Sequence, residues 1–248
     1  MNAVYILWLR QVKRYFRSRP RIIASLGQPL LFLVALGFGF GPIFQRAGQG
    51  SYIQFLAPGV IGMTILFTAI FSGIELIWDR QFGFLKETMV APVPRVYIMA
   101  GRTLGGATVA LFQGAIVILI CFAAGFRISG YSGIPAALLF MILVAVMFTA
   151  LGTAVASLLS DFQGFQLVMN FLVMPIFFLS GALFPLAGLP KALAITASLD
   201  PLTYGVDGLR GALIGQAFYA GSLDTLVLVV IASILVVTGA YLFSRIQL

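Results

Sequence analysis

The 248-residue chain contains no histidine. That removes most zinc sites, imidazole proton shuttles and Ser-His-Asp chemistry. It has one cysteine, Cys121, inside an apolar run, so no internal disulfide can form and the residue reads as a small core side chain. Acids are scarce: Glu75, Asp79, Glu87, Asp161, Asp200, Asp207 and Asp224 are the whole set. Most lie at the ends of apolar runs or between them, and none is near mid-run, where an ion pump usually carries its acids. A phosphate-cradling GxxxxGK[ST] is missing too, because GRTLGGAT at 101–108 does not match it. Charge is short overall. Only 9% of residues are charged, 61% are hydrophobic, and the mean hydropathy is +1.08. A soluble domain carries roughly 25% charged residues. This composition cannot cover a water-facing globule, so the chain reads as a polytopic membrane protein. The net charge of +8 is then a matter of sidedness and not a sign of nucleic acid, and no basic-aromatic run offers a base-stacking surface.

Six apolar runs are long enough to cross roughly 30 Å of hydrocarbon. They lie at about 22–41, 56–78, 103–126, 134–159, 166–186 and 224–244. The expected fold is all-α: six transmembrane helices within residues 22–248. Pro29 and Pro175 fall inside two of the runs, which neighbouring helices can accommodate. Small residues four apart, Gly101/Gly105 and Gly211/Gly215, are weak helix-packing signals. Even span number puts both termini on one side. Eleven of the fifteen Lys and Arg residues then fall on that side, from Arg10 to Arg21, from Arg80 to Arg102, and Arg245. The opposite side has Arg46, Arg127, Lys191 and Arg210. The positive-inside rule makes the terminal side cytoplasmic, together with the 79–102 loop.

Residues 1–21 are expected to form an amphipathic interfacial helix. Val4, Tyr5, Trp8, Leu9, Val12, Tyr15 and Phe16 fall within an arc of about 140° at helical spacing. Arg10, Lys13, Arg14 and Arg17 lie opposite. Such a helix suits the headgroup layer, with Ile6 and Leu7 departing from the pattern. Six basic residues interleaved with aromatics do not make a cleavable signal peptide. The long extracytoplasmic connection, 187–223, is expected to hold a short re-entrant or capping helix near 189–198.

The concentrated polar feature is DRQFGFLKETMVAPVPR at 79–95. Lipid offers nothing to so dense a patch of charge, so it is expected in water and in contact with a partner. Glu75 and Asp79, four apart at the cytoplasmic end of span two, share a helix face and are expected to pair with Arg80 or neighbouring cations. Gln28, Gln113 and Asn170 are the candidate polar residues within spans. Each more often bonds an adjacent helix than a ligand.

Three segments carry a resemblance: FLAPGVIGMTILFTAIFSGIELIWDRQFGFLKETMVAPVPRVYIMAGRTLGG at 55–106, FFLSGALFPLAGLP at 177–190 and LDPLTYGVDGLRG at 199–211. With six spans and the N-terminal helix, the chain resembles the membrane subunit of an ABC-2-type exporter, closest to the drug-efflux and nodulation lipo-oligosaccharide branch. The resemblance implies a permease in a prokaryotic plasma or inner membrane. It would pair with a second copy of itself or a close paralogue and carry two ABC ATPase subunits, with ATP and Mg bound by those subunits and no cofactor in this chain. It implies a coupling helix around Phe82–Val90 stopped by Pro92 and Pro94. Phe82, Leu85, Met89 and Val90 would supply apolar contact and Lys86, Glu87 and Arg95 polar contact. A substrate route past Gln28, Phe71 and Asn170 is implied by the same analogy, and no catalytic or metal-binding residues are expected. A secondary transporter or channel needing no ATPase is the alternative. The cargo class is expected to be amphipathic or lipid-linked.

Overall fold

A computed structural model describes residues 2–46 and 50–246, with the side chains of Asn2 and Arg21 outside that description. The described residues form helices and connections without a strand. Helix α1 (Asn2–Arg17) is followed by α2 (Arg19–Arg46), α3 (Tyr52–Phe71), α4 (Ile74–Gln81), α5 (Phe84–Val90) and α6 (Arg95–Ala123). After a short 3-10 turn, Tyr131–Gly133, come α7 (Ile134–Leu158), α8 (Phe162–Leu179), α9 (Lys191–Leu199), α10 (Pro201–Ile214) and α11 (Gly221–Ser244). Six spans are long and apolar enough to cross a bilayer: Ile22–Arg46, Tyr52–Gln81, Arg95–Ala123, Tyr131–Leu158, Phe162–Leu179 and Gly221–Ser244. The second joins α3 and α4 across a break at Ser72–Gly73.

The core sits around α3, which packs against α2, α6, α7 and α10. Leu56, Ile61, Ile65, Leu66 and Ile70 on it have no exposed surface. By contrast, α2 exposes Leu31, Phe38 and Ile43, α8 exposes Leu167 and Phe171, and α11 exposes Leu226, Ile234 and Val237. Apolar faces on this scale suit hydrocarbon or another protein surface.

Contacts between distant residues define the two ends of the bundle. Arg95 donates to the carbonyls of Ser244 and Ile246, and Arg10 meets Asp79. Both described termini and the 79–95 loop therefore share one end. At the far end the Tyr52 hydroxyl donates to the Leu183 carbonyl at 2.9 Å, and the Ser129 N–H donates to the Leu213 carbonyl at 2.9 Å.

The far connection has a helix, α9, where a short one was expected near 189–198, and a second helix after it. This second helix, α10, is inserted among α3, α7 and α11. Asp200 starts α10 by accepting from the Leu202 N–H at 2.9 Å, and Pro201 sits in its first turn with a pre-set φ. Leu202, Val206, Leu209 and Leu213 form its inward stripe at helical spacing, all buried. Gly215, at φ 71, ends it in the left-handed conformation.

Helix α1 lies along α6 because two glycines let it. A Cβ at Gly101 would stand 2.9 Å from Leu7 Cβ and 2.9 Å from the Val4 carbonyl oxygen. One at Gly105 would stand 2.8 Å from Gln11 Cβ. Leu7, which breaks the amphipathic pattern in sequence, is the residue that fills this seat. Tyr5 and Phe16 keep much of their surface exposed, with the Phe16 ring 4.7 Å from that of Phe112 on α6. Gly101→Val is expected to destabilise the fold by about 1–3 kcal/mol through overpacking. Gly27→Val, at a position with nothing within 4 Å, should be near silent. Thermal unfolding of the two variants in detergent checks the contrast.

Candidate functional site at the end carrying the termini

Asp79 ends up buried, with 5% of its side chain exposed, among three guanidinium groups. Arg10 grips it with both nitrogens, Nη2 to Oδ1 at 2.7 Å and Nη1 to Oδ2 at 3.0 Å. Arg102 Nη2 donates to Oδ2 at 2.5 Å. Arg14 Nη1 stands 3.7 Å from Oδ1. The forked Arg10 contact is the geometry in which a guanidinium matches a carboxylate best. Arg10 and Arg14 are about one third exposed, so water screens their share. Arg102 is nearly as buried as Asp79 and depends on it. Glu75, one turn earlier, is also buried, and its charge bears on Arg102.

Aromatic rings extend the cluster. The Arg10 guanidinium lies 3.5 Å over the Phe84 ring, and that of Arg14 lies 5.4 Å over Trp78. Trp78 stacks on Phe162 with centroids 6.2 Å apart. Helices α1, α4, α5, α6 and α8 thus meet at one place through charge and rings. Arg80, expected beside the acids, turns away from them. It donates to the carbonyls of Leu159 at 2.9 Å and Ser157 at 3.3 Å, where it caps the end of α7.

Helix α5 starts after Gly83, whose φ of 81 turns the chain out of α4. Phe82 therefore caps α4 and does not belong to α5. The apolar residues of this segment divide between two faces. Leu85 is fully buried against the bundle, and Met89 is packed on the core. Phe82 and Val90 are 83% and 84% exposed. Lys86, Glu87, Pro92, Pro94 and Arg95 are also exposed. The outward face of the segment thus combines two large apolar groups with charges of both signs.

Two of the three route candidates meet. Gln28 and Phe71 line a cavity of about 250 Å³ with Tyr15, Ala24, Ser25, Pro29, Met63, Thr64, Phe67 and Thr68. Its polar groups are hydroxyls and an amide, with no charged side chain among its lining. The Tyr15 hydroxyl donates to Gln113 Oε1, and Gln113 Nε2 donates to Ser25 Oγ at 2.8 Å. This chain of bonds ties α1, α2 and α6 at the cavity wall. Asn170 lies elsewhere, on the exposed face of α8. On α1, Trp8 Nε1 donates to Thr108 Oγ1 at 3.0 Å, and Lys13 and Arg17 stay exposed.

The sequence profile of the ABC-2 type transporter family matches residues 2–214. The chain belongs to that family. Nodulation protein J of Rhizobium leguminosarum bv. trifolii is 30% identical over 214 residues, 86% of this chain and 79% of its own length. The inner membrane transport permease YadH of Escherichia coli K12 is 27% identical over 219 residues, 86% of this chain and 83% of its own. The protein ycf38 of Porphyra purpurea is 33% identical over 217 residues, 85% of this chain and 73% of its own. The matched region includes every residue of the Asp79 cluster and the whole of α5. Membership makes this chain a multi-pass transport permease, and the family in general works with an ABC ATPase.

Sequence reasoning missed Arg102 as the counter-charge of Asp79. The signal was there: an arginine within a helix that enters the membrane needs a partner on a neighbour. Asp79→Asn strips Arg102 of that partner, and removing one half of a buried pair typically costs about 3–5 kcal/mol. A marked fall in Tm is expected, and Asp79→Asn combined with Arg102→Met should fall less than the single change. Thermal unfolding of purified wild type, single and double variants reads this comparison.

Proposed function

We propose that this chain is the membrane half of an exporter driven by ATP hydrolysed on separate subunits. The end carrying the termini is cytoplasmic in this reading, because eleven of the fifteen basic residues lie there. Two ATPase subunits dock on a dimer of this chain, and they bind the ATP and Mg. The observation that carries the reading is the build of the 74–95 segment. The turn after α4 exposes Phe82, and α5 exposes Lys86, Glu87 and Val90, to a partner while Leu85 and Phe84 anchor α5 within the bundle. A push on α5 then reaches α1 through Arg10 and α6 through the Asp79–Arg102 pair.

The cargo is amphipathic and enters from the cytoplasm or inner leaflet. The uncharged cavity beside Gln28 and Phe71 supports that class, since its wall mixes rings with hydroxyls and an amide. The open faces of α2 and α8, with Asn170 among their exposed residues, suit a second copy across a shared route.

Co-expression with candidate ATPase chains tests the reading. A stable complex is expected, with ATP hydrolysis in lipid that responds to cargo. Phe82→Ala with Val90→Ala is expected to cut complex recovery at least tenfold while Tm of the isolated permease stays within a few degrees. Lys86→Glu should weaken coupling without unfolding the chain. Transport by the isolated protein, with no ATPase recruited, would instead favour a gradient-driven carrier.

A further inference from the structure

Helix α8 is held by a single stripe. Phe165, Met169, Val173 and Phe177, four apart, are its buried residues, while Leu167, Phe171 and Phe178 stand open beside them. Pro175 interrupts the helix two residues before Phe177. It has no N–H for the Phe171 carbonyl, so the backbone ladder is weakest there.

Rings on this stripe meet rings of α2 and α3. The Phe177 ring lies edge-on to Phe32 at 5.5 Å and to Phe67 at 6.3 Å between centroids. Phe165 meets Phe71 at 6.4 Å, and Phe71 stacks on Phe67 at 6.3 Å. Phe67 and Phe71 also line the cavity of about 250 Å³, with Gln28 on α2. Phe32 is one turn beyond Gln28 towards the far end. Three rings from three helices therefore close together just beyond the cavity. Phe177, fully buried, is the one in the middle, and edge-to-face packing of this kind is a favoured contact between rings.

The near end of α8 is tied to the segment that carries α5. Trp78 of α4 lies flat on Phe162, the first residue of α8, with 6° between the ring planes. Arg80, two residues on, holds the carbonyls of Ser157 and Leu159 just before α8.

We propose that α8 is the gate of this permease. The Phe177 ring, wedged between Phe32 and Phe67, shuts the cavity from the far end. Trp78 is the positioning residue through which α4 draws α8 aside. The gate rests on the exporter reading for its motive force: a push on α5 turns α4, and the flat Trp78–Phe162 contact passes it to α8. An apolar constriction blocks water and ions without any charge, and it opens once the rings part. It suits an amphipathic cargo, whose apolar part takes the place of the separated rings.

The test labels cysteines in the full chain, in a Cys121→Ala background that leaves no native thiol. At rest, Phe177→Cys is expected to react slowly with a small maleimide, and Phe171→Cys, on the open side of α8, quickly. When the ATPase partner hydrolyses ATP, labelling at position 177 should rise severalfold. Ile61→Cys, sealed in the α3 core, should stay slow throughout. Trp78→Leu should remove the rise when read at equal ATP turnover, and Trp78→Phe, which keeps a ring for the stack, should restore it. A full rise in Trp78→Leu would overturn the role of Trp78. A complex that hydrolyses ATP with no change at position 177 would overturn the gate and leave the exporter reading standing. If no ATPase is recruited, the isolated chain still decides the gate. In liposomes, Phe177→Ala should release trapped carboxyfluorescein severalfold faster than wild type, with Phe178→Ala, at the exposed neighbour, unchanged. Equal release from Phe177→Ala and wild type would overturn the gate on its own.

Discussion

Arg102 is a permanently charged group buried near the start of a membrane-spanning helix, and it can stay there only because Asp79 reaches it. A guanidinium cannot shed its proton to escape burial, as a lysine or a carboxyl group can. The geometry of the end carrying the termini follows from this need. Asp79 must be on the inner side of α4, so α4 must break from α3 near Ser72–Gly73 and present that side to α6. Once the carboxylate is fixed, Arg10 closes on it with two bonds, and α1 is drawn onto the groove that Gly101 and Gly105 leave open. Helix α1 is thereby an integral part of the bundle.

The same cluster explains why α5 sits where it does. Its phenylalanine, Phe84, lies under Arg10, and its Leu85 is sealed in the core, so only one side of this seven-residue helix is free. A free-standing helix of that length would not hold together in water. Anchored at two points and turned by Gly83, it becomes a rigid projection. In the proposed mechanism, rigidity at that projection is what allows a motion in a partner to be felt within the membrane.

The number of spans was legible because apolar length is a blunt signal that lipid enforces strongly. The side chains of the charged cluster were only half legible. Asp79 stood out as an acid in a greasy chain, but Arg80, its neighbour in sequence, points along α4 to cap α7 instead. The true partners come from positions 10 and 102, and nothing local in the sequence encodes that pairing. Helix α10 is a different failure. Its stripe of Leu202, Val206, Leu209 and Leu213 was readable at helical spacing, yet the one helix expected in this connection was placed earlier, near 189–198. The resemblance implied one coupling helix around Phe82–Val90 with Phe82, Leu85 and Met89 in shared apolar contact, whereas the left-handed turn at Gly83 separates Phe82 from the other two.

The order of the three partners along the chain has a consequence for biogenesis. Arg10 leaves the ribosome first, Asp79 follows 69 residues later, and Arg102 another 23 after that. When the third span enters the bilayer, the acid that neutralises its arginine is therefore already at the end of the preceding helix. A lone arginine costs roughly 2.5–3.5 kcal/mol at the centre of an inserting helix and less towards its end, where Arg102 lies. Because its partner arrives early, span three can be inserted as half of a hairpin whose charge is matched from the outset, while α1 waits at the surface to complete the cluster.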